Sequence, residues 1–483
     1  MKLTIHAGPQ TFDLQLQIAA KAQQVTVTAG NGPSVSTEAS NNASAVVLEG
    51  DDLDALGDNP DDLQADLQAL AGPGAGPNGG SIFIDGFSGG ELPPKSSIRE
   101  IRINQNPFSP EYDKLGFGRI EIFAKPGTDK WRGSFNYNNQ NELWNSRNPY
   151  AATKPPLRLN EFEGGVSGRL NHRASLTFDW GYENVKNGSI VNAVVLNSAL
   201  LQEPFSAIRT TPQARLQLTP RVDYQLGANH TLTVRYGITR LDVTDAGIGS
   251  FDLVSRGYHL QTTNQTVQAT ESAVLGAAVN ETRVQYFRSA NEAVANSSSP
   301  AILVLGAFNG GGSQTGQTSN TQNSVELQNN TSTLHGAHAV RFGVRFRGQG
   351  LDSVSPQNFG GAFTFAGIER YQVTLQLQQQ GLSPAQIRAM GGGASQFTIT
   401  AGNPALSLNQ VDASAFAGDD WRVRPNVTVS LGLRYEAQTH LRDRFDFAPR
   451  AGIAWAIGDA AKSRPKTVLR TGFGMFLRPL RPQ

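Results

Sequence analysis

From Trp131 onward, apolar and polar side chains alternate in segments of about ten residues, each with one apolar and one polar face. Leu176, Phe178, Trp180 and Tyr182 alternate with Thr177, Asp179, Gly181 and Glu183. Leu232, Val234, Tyr236 and Ile238 alternate with Thr233, Arg235, Gly237 and Thr239, and the run Val427, Val429, Leu431, Leu433 and Tyr435 repeats the pattern. These segments predict antiparallel strands, about thirteen of them between Trp131 and Phe476. A soluble sandwich also alternates, so length separates the architectures. Globular strands usually run about five or six residues, whereas tilted membrane-spanning strands need about nine to eleven. The aromatics Trp131, Trp180, Tyr286, Trp421 and Tyr435 fall near segment ends, where the interface girdles of a barrel lie. The pattern favours a transmembrane β-barrel, with a soluble antiparallel sandwich as the alternative. Regions 297–322 and 349–409 are Gly/Gln/Ser-rich and non-periodic and read as long loops, and His335-Gly336-Ala337-His338 reads as a hairpin turn.

The first quarter of the chain has a different rhythm. Residues 3–18 read as two short strands, Gln24–Ala29 as an extended segment, and 30–44 as a Gly/Ser/Asn-rich linker. Residues 45–128 read as a compact α+β unit. Asn59 suits a helix cap, Pro60 the first helical position, and Asp61 and Asp62 the positive end of the dipole. Leu63, Leu67 and Leu70 then fall on one face, and Gly72-Pro73 ends the helix. Strands are expected at Ser81–Asp85, Ile98–Asn104 and Arg119–Lys125.

Composition narrows the function classes. The 483 residues carry a formal net charge of +1, which gives no field for nucleic acid. Cysteine is absent, so thiolate metal sites and cysteine nucleophiles are excluded. The acidic run Asp51, Asp52, Asp54, Asp58, Asp61 and Asp62 lacks the spacing of a calcium loop and reads as helix capping and a solvated face. Gly310–Gly312 and Gly391–Gly393 lack the context of a phosphate loop and read as loop glycines. No catalytic constellation assembles, so the chain is read as a non-enzyme without metal or cofactor. No run of about 18 apolar residues is present to form a transmembrane helix. The start carries no signal peptide, so export implies a signal upstream of Met1.

Residues 72–133 strongly resemble the plug, and its junction to the barrel, of Oar-like TonB-dependent outer-membrane transporters. The matching pieces are Ile84-Asp85-Gly86-Phe87, Leu92-Pro93-Pro94, Ile98–Ile103, Asn106-Pro107-Phe108, Glu111-Tyr112, Gly118–Ile122 and Lys125-Pro126-Gly127. Asp419–Arg422, Leu431–Glu436, Phe447–Arg450 and Arg470–Gly474 resemble successive barrel strands of the same family, and residues 3–20 the tail of a carboxypeptidase-regulatory-like β-sandwich. The resemblance implies an α+β plug followed by a mainly antiparallel transmembrane β-barrel. The expected domains are 1–29, the sandwich tail with a possible TonB box; 30–128, the plug; and 129–483, the N-terminal part of the barrel. Such transporters have about 22 strands. Thirteen of them, with a tail Leu477–Gln483 unlike the family's continuation, lead us to expect a fragment. The implied function is energised uptake of an unidentified bulky extracellular solute at the outer membrane, with membrane lipid and the TonB complex as partners. A structural or adhesive protein of the same fold and an inactive truncated gene product are the alternatives.

Within that resemblance, Gln24, Val25, Thr26, Val27, Thr28 and Ala29 stand where a TonB box would pair by strand addition, although Gln24 replaces the usual acid; an ordinary linker strand is the other reading. Arg235, Arg283, Arg341, Arg345, Arg434 and Arg470 lie on polar strand faces, which line the lumen of a barrel. They are expected to make plug–barrel polar contacts with plug charges Arg99, Glu100, Arg102, Glu111, Arg119 and Glu121, with substrate contact as the alternative.

Overall fold

The computed structural model describes residue 37 and most of 45–476, apart from 59, 73–74, 76–79, 89–91, 105, 107, 115, 150–152, 442–444 and 458–466. All described residues belong to the unit Val35–Gln483. The expected TonB box Gln24–Ala29, the sandwich tail, the Asn59 cap and the tail 477–483 lie outside the described residues.

The N-terminal unit runs β1 (Val46–Glu49), α1 (Asp51–Asp54), α2 (Pro60–Ala71), β2 (Ser81–Ile84), β3 (Phe87–Ser88), β4 (Ile98–Ile103) and β5 (Arg119–Ala124). The sheet order is β1-β4-β5-β2-β3, with β2 parallel to β5 and the other pairs antiparallel. Alternation drives the packing. Ile98, Ile101, Ile103, Ile120 and Ile122 are fully buried against Leu63 and Leu67 of α2, each worth about 2 kcal/mol in transfer terms. Leu70 does not join them, being 40 % exposed, whereas Ala71 is buried. The buried stripe is centred on Leu67, so Leu70 falls at its rim. Lys95 donates to the carbonyls of Asp54 and Leu56 and pairs with Asp58 at 2.5 Å, which gives the acidic run a structural partner.

Asp85 and Gly86 join β2 to β3 with φ of 48° and 83°. This Asp-Gly turn takes left-handed backbone at both centres, as a tight hairpin requires.

The second unit is a wall. Its strands are β6 (Arg132–Asn141), β7 (Leu157–Asn171), β8 (Ala174–Leu196), β9 (Gln202–Gly227), β10 (His230–Ala246), β11 (Tyr258–Leu275) and β12 (Ala278–Ala295). After the short strands β13 (Ala301–Val304) and β14 (Phe308–Gly311), the wall resumes with β15 (Gln317–His335) and β16 (His338–Val354). A second excursion holds β17 (Ala362–Phe365), α3 (Ile368–Gln379), α4 (Pro384–Ala389) and β18 (Gln396–Thr398). The wall then continues with β19 (Ala405–Arg424), β20 (Val427–Gln438), β21 (Phe447–Ile457) and β22 (Thr467–Gly474). Thirteen strands form one sheet from β22 to β6, each antiparallel to its neighbours, and those two end strands are not paired to each other among the described residues. No described helix is long and apolar enough to cross a membrane.

One end of the wall is closed by two-residue turns. They lie between β7 and β8, β9 and β10, β11 and β12, β15 and β16, and β19 and β20. Gly276 and Gly336 open two of these turns with φ near 60°, and His335 faces His338 across the second, as the sequence predicted. The opposite end carries the long connections.

Two expectations change. Most wall strands are far longer than ten residues, as β8 with 23 and β9 with 26, whereas β6, β20, β21 and β22 keep 8 to 12. Clear alternation marks only the part next to the short turns, because farther out both faces meet water and the pattern is lost. Regions 297–322 and 349–409 are not structureless either. β13, β14, β17 and β18 form a four-stranded sheet, into which Gly310 and Gly311 are built. Val304, Phe308, Phe365 and Ile368 bury themselves there against Val191 and Ala193 of the β8 extension.

Candidate functional site

The inward side of the wall is a continuous polar stripe. In register, Ser167, Thr177, Arg221, Arg235, Gln268, Gln285, Glu326, Arg347 and Asp412 stand side by side on nine successive strands. Adjacent rows face outward and are apolar: Tyr236, Val267, Tyr286 and Val325 form one and are exposed. The period of two thus separates a polar lining from an apolar exterior.

The N-terminal unit sits on this stripe. The backbone N–H of Thr128 donates to Ser167 Oγ at 3.1 Å. Asp85, at the tip of the β2–β3 turn, pairs with Arg235 at 2.9 Å and lies 3.9 Å from Arg221. Its other oxygen accepts from the Ala124 N–H, so one carboxylate ties the hairpin tip both to its own sheet and to the wall. Ser88 Oγ donates to Glu326 Oε2 at 2.6 Å, and Gln285 Nε2 donates to the Ser88 carbonyl at 2.9 Å. Asp113 pairs with Arg345 at 3.2 Å and Arg347 at 3.6 Å, and Arg347 also pairs with Glu326 at 3.2 Å. Glu326, Arg347 and Asp113 are all buried.

A second bracket holds the backbone of 109–111. Arg434 donates to the carbonyls of Pro110 and Glu111, to Ser414 Oγ and to Glu436. Arg450 donates to the Ser109 carbonyl. Gly418 and Gly432 face each other across β19 and β20, and Pro110 fills the space their missing side chains leave. A Cβ on Gly432 would stand 2.9 Å from Pro110 Cβ. Gly472 makes the same allowance for Phe108. Between this loop and the wall lies a cavity of about 240 Å³, to which Arg341, Arg450 and Arg470 contribute.

The residues singled out from the sequence therefore separate into two groups. All six wall arginines occupy the inward face. Arg235, Arg345 and Arg434 contact the N-terminal unit directly, and Arg283 lies against Gly86 while chelating Glu281. Arg341 pairs with Asp420 of the wall, and Arg470 lines the cavity. Of the plug charges, Glu111 reaches Asn330 at 3.4 Å. The others pair within their own sheet: Arg99 and Arg102 with Glu100, and Arg119 with Glu121. Arg102 and Glu100, and Arg119 and Glu121, are two apart on a strand and share a face, so these opposite charges meet each other first, and the register shift between Ile98 and Glu100 lies beside the adjacent Arg99–Glu100 pair. Arg119 also lies 3.5 Å from the Phe83 ring centroid and 4.0 Å from that of Tyr112. Burial, with Glu121 beside it, holds the Tyr112 phenol well above its ordinary value. Burial alone would lower the Arg119 guanidinium, but Glu121 and Tyr112 outweigh it and raise it.

Asp85, Ser88, Asp113, Gln285, Glu326 and Arg347 escaped the sequence reading. Gln285 and Arg347 share strand parity with Arg283 and Arg345, so parity would have found them. Asp113 sits in an irregular loop and carried no periodic signal.

Comparison with known proteins agrees with this geometry. The fold is shared with the outer membrane transporter YddB from Escherichia coli, at TM-score 0.59 and 12 % identity over 86 % of this chain and 59 % of that one. It is shared with the siderophore receptor PirA from Acinetobacter baumannii, at TM-score 0.56 and 14 % identity over 86 % and 59 %. A mutant of the ferric enterobactin receptor PfeA from Pseudomonas aeruginosa gives TM-score 0.56 and 12 % identity over 89 % and 61 %. The chain thus spans 59 % to 61 % of the length of these structures. No curated protein sequence matches it. Residues 185–446 match the family described as outer membrane beta barrel domain; this is more than half of the chain, which belongs to that family and to the outer membrane.

Proposed function

We propose that this chain is the plug-bearing part of an Oar-like, TonB-dependent transporter that takes up a bulky solute across the outer membrane. The domains we propose are a sandwich tail with a TonB box over 1–29, a plug over 30–128 and a barrel wall from 129. One observation carries this reading. Among the described residues, the core of the N-terminal unit is built from its own side chains, Leu53 to Ile122, while its seat on the wall is made of hydrogen bonds, ion pairs and glycine-lined contacts. A plug held in this way can shift and be rehydrated without opening a hydrophobic core.

In this reading the solute binds at the long-loop end. The energy transducer adds a strand to Gln24–Ala29 and pulls. Asp85, Ser88 and Asp113 then exchange their wall partners for water and a path opens. No covalent chemistry on the solute is involved.

Deleting Gln24–Ala29 is expected to abolish energised uptake across a panel of siderophore, glycan, peptide and cobalamin solutes while leaving membrane insertion intact. Unchanged uptake of a solute that the intact protein carries overturns the box. The long-loop sheet, with a core shared with the β8 extension, favours a second reading, surface adhesion, which needs no transducer. Binding of a synthetic peptide spanning residues 20–32 to the periplasmic domain of the transducer separates the two.

A further inference from the structure

Outward positions on neighbouring strands can be compared at one depth, because hydrogen-bonded neighbours are in register. Strands about 4.8 Å apart and tilted by roughly 40° differ in height by about 3 Å from one to the next, so across several strands depth is counted from each strand's own short turn. One outward row reads Leu232, Glu271, Thr282, Asn329, Val344 over β10, β11, β12, β15 and β16. The next row toward the short turns reads His230, Ala273, Asn280, Thr331, Phe342 over the same strands. Parity places them outside. Glu271 shares its face with Val267, Thr282 and Asn280 share theirs with Val284 and Tyr286, and Asn329 and Thr331 share theirs with Val325 and Leu327, all of which are exposed.

The depth matters. Counted from each strand's own short turn, Asn280 stands three residues in, Glu271, Thr282 and Thr331 five and Asn329 seven, while Val344 stands seven residues in on the other strand of Asn329's turn. On β16 this depth is held by exposed Phe342, Val344 and Phe346, and on β20 by exposed Leu431 and Leu433. The apolar belt is therefore interrupted by a polar break three strands wide. It is ordered: Asn280 Nδ2 donates to Asn329 Oδ1 at 3.1 Å and Thr331 Oγ1 at 2.7 Å, Asn329 Nδ2 donates to Thr282 Oγ1 at 2.8 Å, and His230 meets Glu271 at 2.7 Å.

An acyl chain offers neither donor nor acceptor, and the lipid face of a barrel is ordinarily apolar across the band. We infer that the outer face of β11, β12 and β15 is a docking surface for a second copy of this chain. The chemistry favours that occupant. The patch consists of amides, hydroxyls and one acid–imidazole pair, so it holds donors and acceptors in balance. A two-fold axis sets it against itself without like-charge conflict. Exposed Val267, Val284 and Val325 border it with apolar contact area. The inference goes beyond the transport reading and does not rest on it; it needs only the membrane-spanning wall.

Because the chain has no cysteine, single-cysteine variants report contacts directly. Thr282→Cys and the control Val344→Cys are treated in intact outer membranes with a short bis-maleimide. The expected result is a covalent homodimer at least tenfold more abundant for Thr282→Cys than for Val344→Cys. Equal yields, a monomer alone, or a Thr282→Cys adduct with a different protein overturns the inference. Asn329→Cys repeats the measurement from the adjacent strand, and only inserted, heat-modifiable protein is scored, so a variant that fails to fold does not decide it. Native mass spectrometry of the unsubstituted chain in mild detergent should show a dimer that Asn280→Leu with Asn329→Leu converts to monomer. A monomer at every concentration of the unsubstituted chain also overturns it.

Discussion

Asp113 shows how a single buried residue sets the seat of the plug. Its carboxylate faces Arg345 and Arg347, and side-chain exposures of 5 % for Asp113 and 3 % for Arg347 leave little room for water. Removing one member of such a group strands the others. Asp113→Ala is expected to cost about 3 kcal/mol of docking stability, read as a lower urea midpoint for proteolysis of residues 45–128 in detergent-solubilised protein. An unchanged midpoint would show that the wall arginines are satisfied without it. The wall arginines were legible because strand parity dictates where a side chain points. The plug partners were not. Arg102, Arg119 and Glu121 have the right charge for a docking surface, yet each sits two residues from an opposite charge on its own strand, and Arg99 is bonded to the adjacent Glu100. Asp85, expected from the sequence at the end of a strand, makes the contact instead because it sits in the hairpin turn, whose tip reaches the wall.

At the scale of elements, the clearest signals were those with one lipid or core face and one polar face. The strands Ile98–Ile103 and Arg119–Ala124, and the helix from Pro60, follow from such patterns. The extensions of β8 and β9 and the sheet of the long connections do not, because a segment wetted on both sides has no reason to alternate. One element there did carry a local signature. Ser383 caps α4, with Pro384 at the first position and Gln386 closing a capping box, which is the S-x-x-Q pattern of a helix start. Ser383→Ala should destabilise α4 by about 1 kcal/mol, and amide exchange over 384–389 should speed up about fivefold. Exchange that does not change would mean that packing of Ile387 alone holds the helix.

At the scale of the whole molecule, two surfaces of one sheet serve different solvents. Outward residues of the alternating part near the short turns form the apolar face, and inward residues meet a separately folded unit through polar contacts. Alternation and resemblance together made the barrel wall and its thirteen strands legible. The docking of the plug was not, because it depends on which loop carbonyls and turn carboxylates reach which row of the wall. The plug rests on this wall at Pro110, and in the proposed transport cycle it moves from it during uptake. Pro110→Cys combined with Gly432→Cys tests it most directly, since the two Cβ positions lie 2.9 Å apart and a disulfide needs about 3.8 Å, a shift of under one ångström. The disulfide is expected to form in outer-membrane protein, energised uptake to stop while it is closed, and reduction to restore it. A disulfide that fails to form in inserted protein would show that Pro110 does not rest on Gly432, and one that forms while uptake continues would show that the plug does not leave the wall there.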